Sequence, residues 1–197
     1  MREMIKMAVV LTILCAFSGG LLASVRNGTQ EKIEYQELTF VKGPAIRAIL
    51  NGSSNNPLAD RFKIMDGDVE RSFFIGRFDD KADMIAFESS GKGFSGDIGV
   101  MAGVNLEDDM IGGVGITTHS ETPGVGSRAK TDPGFTKQFL GRTIIAPFKV
   151  KNDGGKVDAV SGATITSRGV AAALTEAGQI YKRLKPELVK KIQESKK

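Results

Sequence analysis

The chain has 197 residues, enough for one membrane-spanning helix and one globular domain of ordinary size. Its single cysteine, Cys15, excludes an internal disulfide, and one cysteine with one histidine nearly excludes a structural zinc site or a metal cluster. The net charge of +4 arises in residues 181–197, where seven Lys or Arg face two Glu, so the remainder of the chain is near neutral. No stacking platform of aromatic residues lies between these basic residues, which argues against nucleic acid as a partner.

The first predicted element is a membrane-spanning helix over residues 7–25, nineteen residues without a charge. As a helix they would extend about 28 Å, the thickness of a hydrocarbon core. A cleaved signal peptide is the alternative, but its apolar core is normally shorter, and cleavage after Ala23 would place Leu21 where a small residue is needed. Positive charges nearly balance across the helix, and the short flank 1–6 favours a cytoplasmic N-terminus, with the domain outside the cytoplasm.

Residues 26–57 are predicted as a linker with short helical pieces that are broken at Gly43-Pro44, ending in the loop 51–57. Alternating and apolar runs then predict five strands: 62–65, 71–78, 84–88, 98–104 and 110–118. The gaps between them are too short for crossover helices, so the sheet should be largely antiparallel.

A short helix over 132–140 and a strand over 148–151 are expected next, followed by a helix over 167–184. Apolar residues of the last helix recur at spacings of four, three and four: Val170, Leu174, Ala177 and Tyr181. The predicted fold is α+β, with a twisted, largely antiparallel sheet flanked by helices in one domain, 58–184. A basic tail, 185–197, follows; such tails are usually solvated, and docking to an acidic partner or to anionic headgroups is the alternative.

Gly91, Gly93 and Gly96 have the spacing of a dinucleotide-binding fingerprint. That fingerprint requires a helix directly after the glycines, whereas here they lead into a predicted strand. We therefore predict a glycine-rich hairpin.

Small and hydroxyl-bearing residues crowd the start of the last helix, in the sequence DAVSGATITSRGV (158–170). A helix N-terminus has unpaired amides and a dipole that favours anions, so a phosphate could bind near Thr164, whose hydroxyl could itself carry the phosphate. The alternative is a turn with a hydroxylated N-cap, in which Thr166 or Ser167 caps the helix.

The segment DAVSGAT, Asp158 to Thr164, resembles the acceptor sequence of proteins with covalently attached FMN: Asp, two variable residues, Ser or Thr, Gly, Ala, Thr. In that family a flavin transferase uses FAD as donor and joins FMN to the final threonine by a phosphoester. The resemblance implies covalent FMN on Thr164. Asp158 and the residues Ser161, Gly162 and Ala163 would be what the transferase reads.

A second segment, HSETPGVG (119–126), is similar to the His-x-Glu-Thr-Pro-Gly-Leu-Gly loop of the FMN-binding domain shared by RnfG and NqrC proteins, with Val125 in place of leucine. Together with the N-terminal span and the glycine-rich segment, the resemblance covers nearly the whole chain. The compact size favours RnfG, an electron-transfer subunit of a membrane-bound, ion-translocating ferredoxin:NAD oxidoreductase complex.

Two other flavoprotein roles stay open at this point. One is an NqrC-like subunit of a sodium-translocating NADH:quinone reductase, and the other is a stand-alone membrane-anchored flavoprotein outside the cytoplasm. A non-redox anchored domain, in which Thr164 merely caps a helix, is a third alternative.

The resemblance implies that both motifs contribute to the flavin site. Pro123-Gly124 would fix a turn that leaves Glu121 and Thr122 free to meet the polar edge of the flavin. Val125 and Ile165 would contact the ring. The complete cofactor-binding set is Glu121, Thr122, Val125, Ser161, Gly162, Ala163, Thr164, Ile165 and Thr166.

Charged neighbours of this site are less defined. Histidine is the side-chain type that titrates near neutral pH, which makes His119 a possible flavin neighbour; the alternative is a loop histidine hydrogen-bonded to backbone. Lys149, Lys151 and Lys156 could pair with the phosphodiester or be solvated.

The expected role is that of an electron carrier with no catalytic residue of its own and no metal. Its expected partners are the other subunits of a membrane complex and, during maturation, the transferase. The expected location is the bacterial inner membrane, with a single span and the domain on the extracytoplasmic side.

Overall fold

The computed structural model describes residues 1–78 and 83–194 and divides into two compact units, Met1–Phe40 and Val41–Lys197. The first unit is built on a helix, α1 (Arg2–Gln36), which contains the predicted span 7–25 and buries none of its residues. The helical segment that begins with α1 is the one described segment long and apolar enough to cross a membrane, judged by length and composition.

The segment after α1 is more helical than the sequence predicts. A π-helical stretch, Glu37–Lys42, leads directly into α2 (Gly43–Ile49). The break predicted at Gly43-Pro44 is wrong, because Pro44 lies in the first turn of α2. A backbone N–H at that position would have no acceptor within the helix, so proline costs no hydrogen bond there. The second compact unit begins at Val41, within the π-helical stretch.

Five strands form an antiparallel meander in the order β1-β2-β3-β4-β5. Their bounds are β1 (Arg61–Asp66), β2 (Val69–Gly76), β3 (Met84–Lys92), β4 (Asp97–Asn105) and β5 (Ile111–Ile116). All five predicted strands and their antiparallel pairing are confirmed, with ends shifted by a few residues. The β3–β4 connection is the predicted glycine-rich hairpin, since Lys92 pairs with Asp97 and Gly93 N–H donates to Gly96 C=O.

Two short helices, α3 (Arg128–Thr131) and α4 (Pro133–Lys137), stand where one helix over 132–140 is predicted. Asp132 separates them and caps α4 by accepting a hydrogen bond from Gly134 N–H. The strand predicted over 148–151 is absent from this described region; Val150 makes only an isolated parallel bridge to Val157 before a 3-10 turn, Lys151–Asp153.

The last helix, α5 (Thr164–Glu194), is longer than predicted at both ends. The predicted apolar face is confirmed, since Val170, Leu174, Ala177 and Tyr181 are all fully buried. The helix continues through Pro186 because Leu188 and Ile192 beyond it are buried in the core. This burial outweighs the lost hydrogen bond, so the predicted basic tail begins as helix; its last three residues, 195–197, lie outside the described residues.

Strand β4 is buried on both faces, and its successive residues point alternately towards two different helices. Ile98, Val100, Ala102 and Val104 belong to the main core cluster beneath α5. On the opposite face α2 lies so close that a Cβ on Gly103 or Gly113 would come within 3 Å of Ile49. The sheet is therefore covered by α5 on one face and by α2 on the other.

Candidate functional site

A cavity of about 350 Å³ opens where the start of α5 meets two loops. Its lining residues come from three segments of the chain: Phe94; Glu121, Thr122, Val125 and Gly126; and Gly162 to Thr166. The volume falls within the range of small-molecule sites. Eight of the nine predicted cofactor-binding residues line this cavity, and Ser161 is the exception.

A tight turn leads into α5. Ala163 N–H donates to Val160 C=O across the turn, and Gly162 occupies its third position at a φ of +79°, a conformation that favours glycine. Ser167 Oγ accepts from Val160 N–H at 2.9 Å and donates to Ala163 C=O at 2.9 Å. Ser167 thus fixes the turn from inside the first helical turn.

The hydroxyl groups of this segment divide into engaged and free ones. Ser167 holds the turn, and Thr166 Oγ1 donates to the Glu121 carboxylate at 2.5 Å. Within the described residues, the hydroxyls of Ser161 and Thr164 make no hydrogen bond to protein, and of these two only Thr164 lines the cavity. Among the hydroxyls at the start of α5, Thr164 is therefore the one available to a ligand in the cavity.

The backbone at the same place carries unpaired donors. The first hydrogen bond of α5 runs from Ser167 N–H to Ala163 C=O. Among the described residues, the N–H groups of Thr164, Ile165 and Thr166 have no protein acceptor. These amides lie at the positive end of a 31-residue helix and favour an anion such as a phosphate.

The loop that follows β5 supplies the opposite wall. Val125 N–H and Ser127 N–H both donate to Thr122 C=O, and Gly124 at a φ of +74° completes the predicted Pro123-Gly124 turn. The turn directs Val125 into the cavity wall with 43% of its surface exposed, and Ile165 on α5 is 46% exposed. Two apolar side chains are thus left in contact with solvent at the cavity, where they can cover a planar ring.

Glu121 does not project freely into the cavity. It is 5% exposed, its Oε1 accepts from Ser95 N–H at 2.9 Å and its Oε2 accepts from Thr166 Oγ1. Burial by itself raises the pKa of Glu121, but hydrogen bonds from Thr166, Ser95 and Phe94 and the charge of His119 outweigh it and hold that pKa below its ordinary value. Glu121 is an ionised carboxylate inside the cavity wall.

Phe94 is a lining residue that neither sequence motif contains. It lies in the β3–β4 turn with 70% of its surface exposed, between Gly93 and Ser95. The sequence signal for Phe94 was an aromatic residue next to a glycine in a predicted turn. That signal was overlooked because the spacing of the glycines around it resembles a dinucleotide-binding fingerprint.

The three lysines expected as charged neighbours are outside the described cavity lining, and His119 is partly buried. Lys151 Nζ pairs with Asp158 at 2.7 Å, and none of Lys149, Lys151 and Lys156 is among the described lining residues. His119 is partly buried, and its Nδ1 atom is buried without a hydrogen-bond partner among the described residues, so the backbone-bonded alternative does not apply to that atom.

Comparison with known proteins places this site in a family. A family model described as FMN-binding domain matches residues 93–179, a range that contains every lining residue of the cavity. The chain is 30% identical over 189 residues to the G subunit of the ion-translocating oxidoreductase complex of Pseudomonas aeruginosa, covering 89% of this chain and 87% of that protein. It is also 30% identical over 192 residues to the G subunit of the Escherichia coli O157:H7 complex, covering 92% of each chain.

The chain belongs to the RnfG family, the G subunits of ion-translocating oxidoreductase complexes. The family member of Methanosarcina acetivorans is 29% identical over 178 residues, covering 89% of this chain and 93% of that protein. The crystal structure of the C subunit of Na(+)-translocating NADH-quinone reductase from Parabacteroides distasonis has a similar fold, with a TM-score of 0.56 at 21% identity over 77% of this chain and 95% of that one.

The family assignment confirms the predicted resemblance and the predicted fold class. The chain is an RnfG protein with an FMN-binding domain, and it has one helix suited to a membrane span. The residues of the cavity fit that cofactor: unpaired amides for a phosphate, a free hydroxyl beside them, and apolar side chains for a ring.

Proposed function

We propose that this protein carries FMN in the cavity at the start of α5, attached through a phosphoester to Thr164, and transfers electrons within a membrane-bound, ion-translocating ferredoxin:NAD oxidoreductase complex. The observation that carries the proposal is the position of Thr164. Its hydroxyl is free of protein partners among the described residues and lies in a cavity to which both sequence motifs contribute.

The phosphate end of the cofactor would lie against the first turn of α5. A phosphoester on Thr164 places anionic oxygens beside the unpaired N–H groups of Thr164, Ile165 and Thr166. The helix dipole favours negative charge at this end, typically by about 0.3–1 kcal/mol. Gly162 and Ala163 present no large side chain that would keep the phosphate away.

The ring end of the cofactor would lie towards Val125, Ile165 and Phe94. These three side chains line the cavity and are between 43% and 70% exposed, which is a large apolar exposure for one small region. A flavin ring would bury this surface at about 25 cal/mol for each Å² removed from water. Thr122 is the exposed hydroxyl at the same wall and would meet a polar ring edge.

Attachment is a transfer of FMN from FAD without any oxidation or reduction. Thr164 Oγ1 attacks the phosphorus on the FMN side, the new O–P bond forms, and the pyrophosphate bond breaks so that AMP leaves and the hydroxyl proton passes to a base of the transferase. Asp158, Ser161 and Gly162 are exposed and within reach of that enzyme. Ala163 is 5% exposed, so its small size serves packing beneath the turn.

The flavin supplies the redox chemistry, and the chain supplies attachment, orientation and anchorage. The N-terminal helix would hold the domain at the bacterial inner membrane, on the extracytoplasmic side, at a high effective concentration relative to the other proteins of the complex. A covalent link suits that side of the membrane, where a dissociated cofactor would be lost. The partners in this role are the neighbouring redox proteins of the complex and, during maturation, the flavin transferase.

The test is to purify the full chain from a host that contains a flavin transferase and to examine it on a denaturing gel for flavin fluorescence. Mass spectrometry then identifies the modified peptide. The expected result is a fluorescent band with one FMN phosphoester on Thr164. Thr164→Val should abolish the fluorescence and leave the fold intact, because the hydroxyl has no structural partner among the described residues. Thr131→Val, an exposed threonine at the end of α3, is the matched control and should retain the flavin. Covalent flavin retained in Thr164→Val would refute the proposal.

A further inference from the structure

The Glu121 carboxylate connects the walls of the cavity. Its Oε1 accepts from Ser95 N–H, and the same carboxylate accepts from Phe94 N–H, both in the β3–β4 turn. Its Oε2 accepts from Thr166 in the first turn of α5, 45 residues further along the chain. One side chain on the β5–α3 loop therefore holds the other two segments that line the cavity.

The surroundings of Glu121 are shaped to admit this carboxylate. A Cβ on Gly93 would lie 2.5 Å from its Oε1, and a Cβ on Gly126 would lie 2.7 Å from its Oε2. Any side chain at either position would displace the carboxylate. The two glycines permit the close approach, and three donors offset the cost of burying the charge.

A buried carboxylate has an electrostatic effect on whatever occupies the cavity. Glu121 is itself a lining residue, and within the wall its negative charge is poorly screened by water. Reduction adds electrons to a flavin, and a nearby negative charge disfavours that addition. The effect of such a charge is to lower the reduction potential.

We propose that Glu121 is the positioning residue of the site, which joins the β3–β4 turn to α5 across the cavity and whose fixed negative charge lowers the reduction potential of the flavin bound there. The inference rests on the proposed function, because it requires flavin in this cavity. It assigns Glu121 a role different from direct contact with the flavin edge, since its oxygens already accept hydrogen bonds from protein donors.

Two substitutions separate the two parts of the role. Glu121→Gln keeps the length of the side chain and removes the charge. Glu121→Asp keeps the charge and is one methylene too short to reach both the β3–β4 turn and Thr166. Glu107→Gln is the matched control, because Glu107 is an exposed carboxylate in the β4–β5 turn, at the opposite end of the nine-residue strand β4 from the β3–β4 turn.

The measurements are the midpoint potential of the protein-bound flavin and the thermal unfolding midpoint of the full chain in detergent, with in-gel fluorescence of each sample. In Glu121→Gln we expect the ratio of reduced to oxidised flavin at a fixed potential to rise at least tenfold, a positive shift of at least about 30 mV for a two-electron couple. Glu121→Asp should retain the wild-type potential and unfold at a lower temperature. Glu107→Gln should match the wild type in both measurements.

An unchanged potential in flavin-bearing Glu121→Gln overturns the inference and leaves the proposed function standing. Wild-type protein without covalent flavin overturns the proposed function and the inference with it. If Glu121→Gln does not fold, Thr166→Val takes its place: it keeps the carboxylate and removes one donor that offsets its charge, so the potential should move in the negative direction. A positive shift or no shift in Thr166→Val would then overturn the inference.

Discussion

Replacing Thr166 by valine tests the hydrogen bond between α5 and the buried Glu121 carboxylate. Valine has nearly the shape of threonine, and Thr166 is 3% exposed, so the substitution removes one hydroxyl from a closed environment without opening a cavity. A hydrogen bond to a charged group contributes about 1.5–3 kcal/mol, because its loss leaves a buried carboxylate with an unmet acceptor. We expect the free energy of unfolding at pH 7 to fall by about 2 kcal/mol, which corresponds to about 4–8 °C in Tm for a domain of this size.

The pH dependence of this loss identifies its origin. The pKa of Glu121 is lower in the folded chain than its ordinary value of 4.5. The stability due to the ionised carboxylate is therefore fully present above the unfolded-state pKa and is lost as the pH falls through the folded-state pKa. The difference between Thr166→Val and wild type should be largest near pH 7 and should shrink below about pH 4.

The assay is thermal unfolding of the full chain in detergent, followed by circular dichroism between about pH 3.5 and pH 7.5, a range that spans the ordinary pKa of a glutamate. Thr166→Ser is the control, since it keeps the hydroxyl and should remain within about 1 kcal/mol of wild type. A destabilisation of Thr166→Val that is the same at both ends of the pH range would refute the reasoning, because it would assign the loss to packing and not to the ionised carboxylate.

Two further predictions concern the cavity wall and the sheet. Phe94→Ala should make the bound flavin more accessible to quenching by iodide, whereas Leu140→Ala, which removes an exposed apolar side chain outside the described cavity lining, should not; equal quenching constants in the two variants would contradict a covering role for Phe94. Gly113→Ala should destabilise the domain by about 1–3 kcal/mol in urea unfolding, because the new methyl group would lie 2.9 Å from Ile49, and adding Ile49→Ala should restore part of the loss. A Gly113→Ala variant as stable as wild type would mean that α2 shifts without cost.

The strand pattern was predictable because each strand is a period-two or fully apolar run between turn residues, and the meander follows from short connections. The helix boundaries were less predictable. Pro186 by itself predicts the end of a helix. α5 continues beyond it because Leu188 and Ile192 are buried in the core, which the local sequence does not show. Gly43-Pro44 likewise predicts a break, but a proline in the first turn of a helix is compatible with the helix.

The candidate site was predictable as a set of residues and not as a set of contacts. Eight of the ten cavity residues were predicted from the segments 119–126 and 158–170, because each combines turn glycines with polar side chains. Sequence could not show that Thr166 and Ser167 are engaged while Thr164 is free, because this depends on which segment lies opposite each hydroxyl. Nor could it show that Glu121 is buried, since its three donors come from segments distant in sequence.

The contact between α5 and β3 has a consequence for the rate of electron transfer. A Cβ on Gly91 would lie 2.1 Å from Gly169 C=O, and Ser89 Oγ donates to Ala173 C=O at 2.8 Å, so helix and strand meet backbone to backbone. Compressible side chains do not separate the two elements at this point, and α5 cannot slide along the sheet without breaking these contacts. Thr164, the first residue of α5, lies only five residues before Gly169 and shares this rigidity. A redox centre attached there would change oxidation state with little movement of its surroundings, which keeps the reorganisation energy of each transfer small.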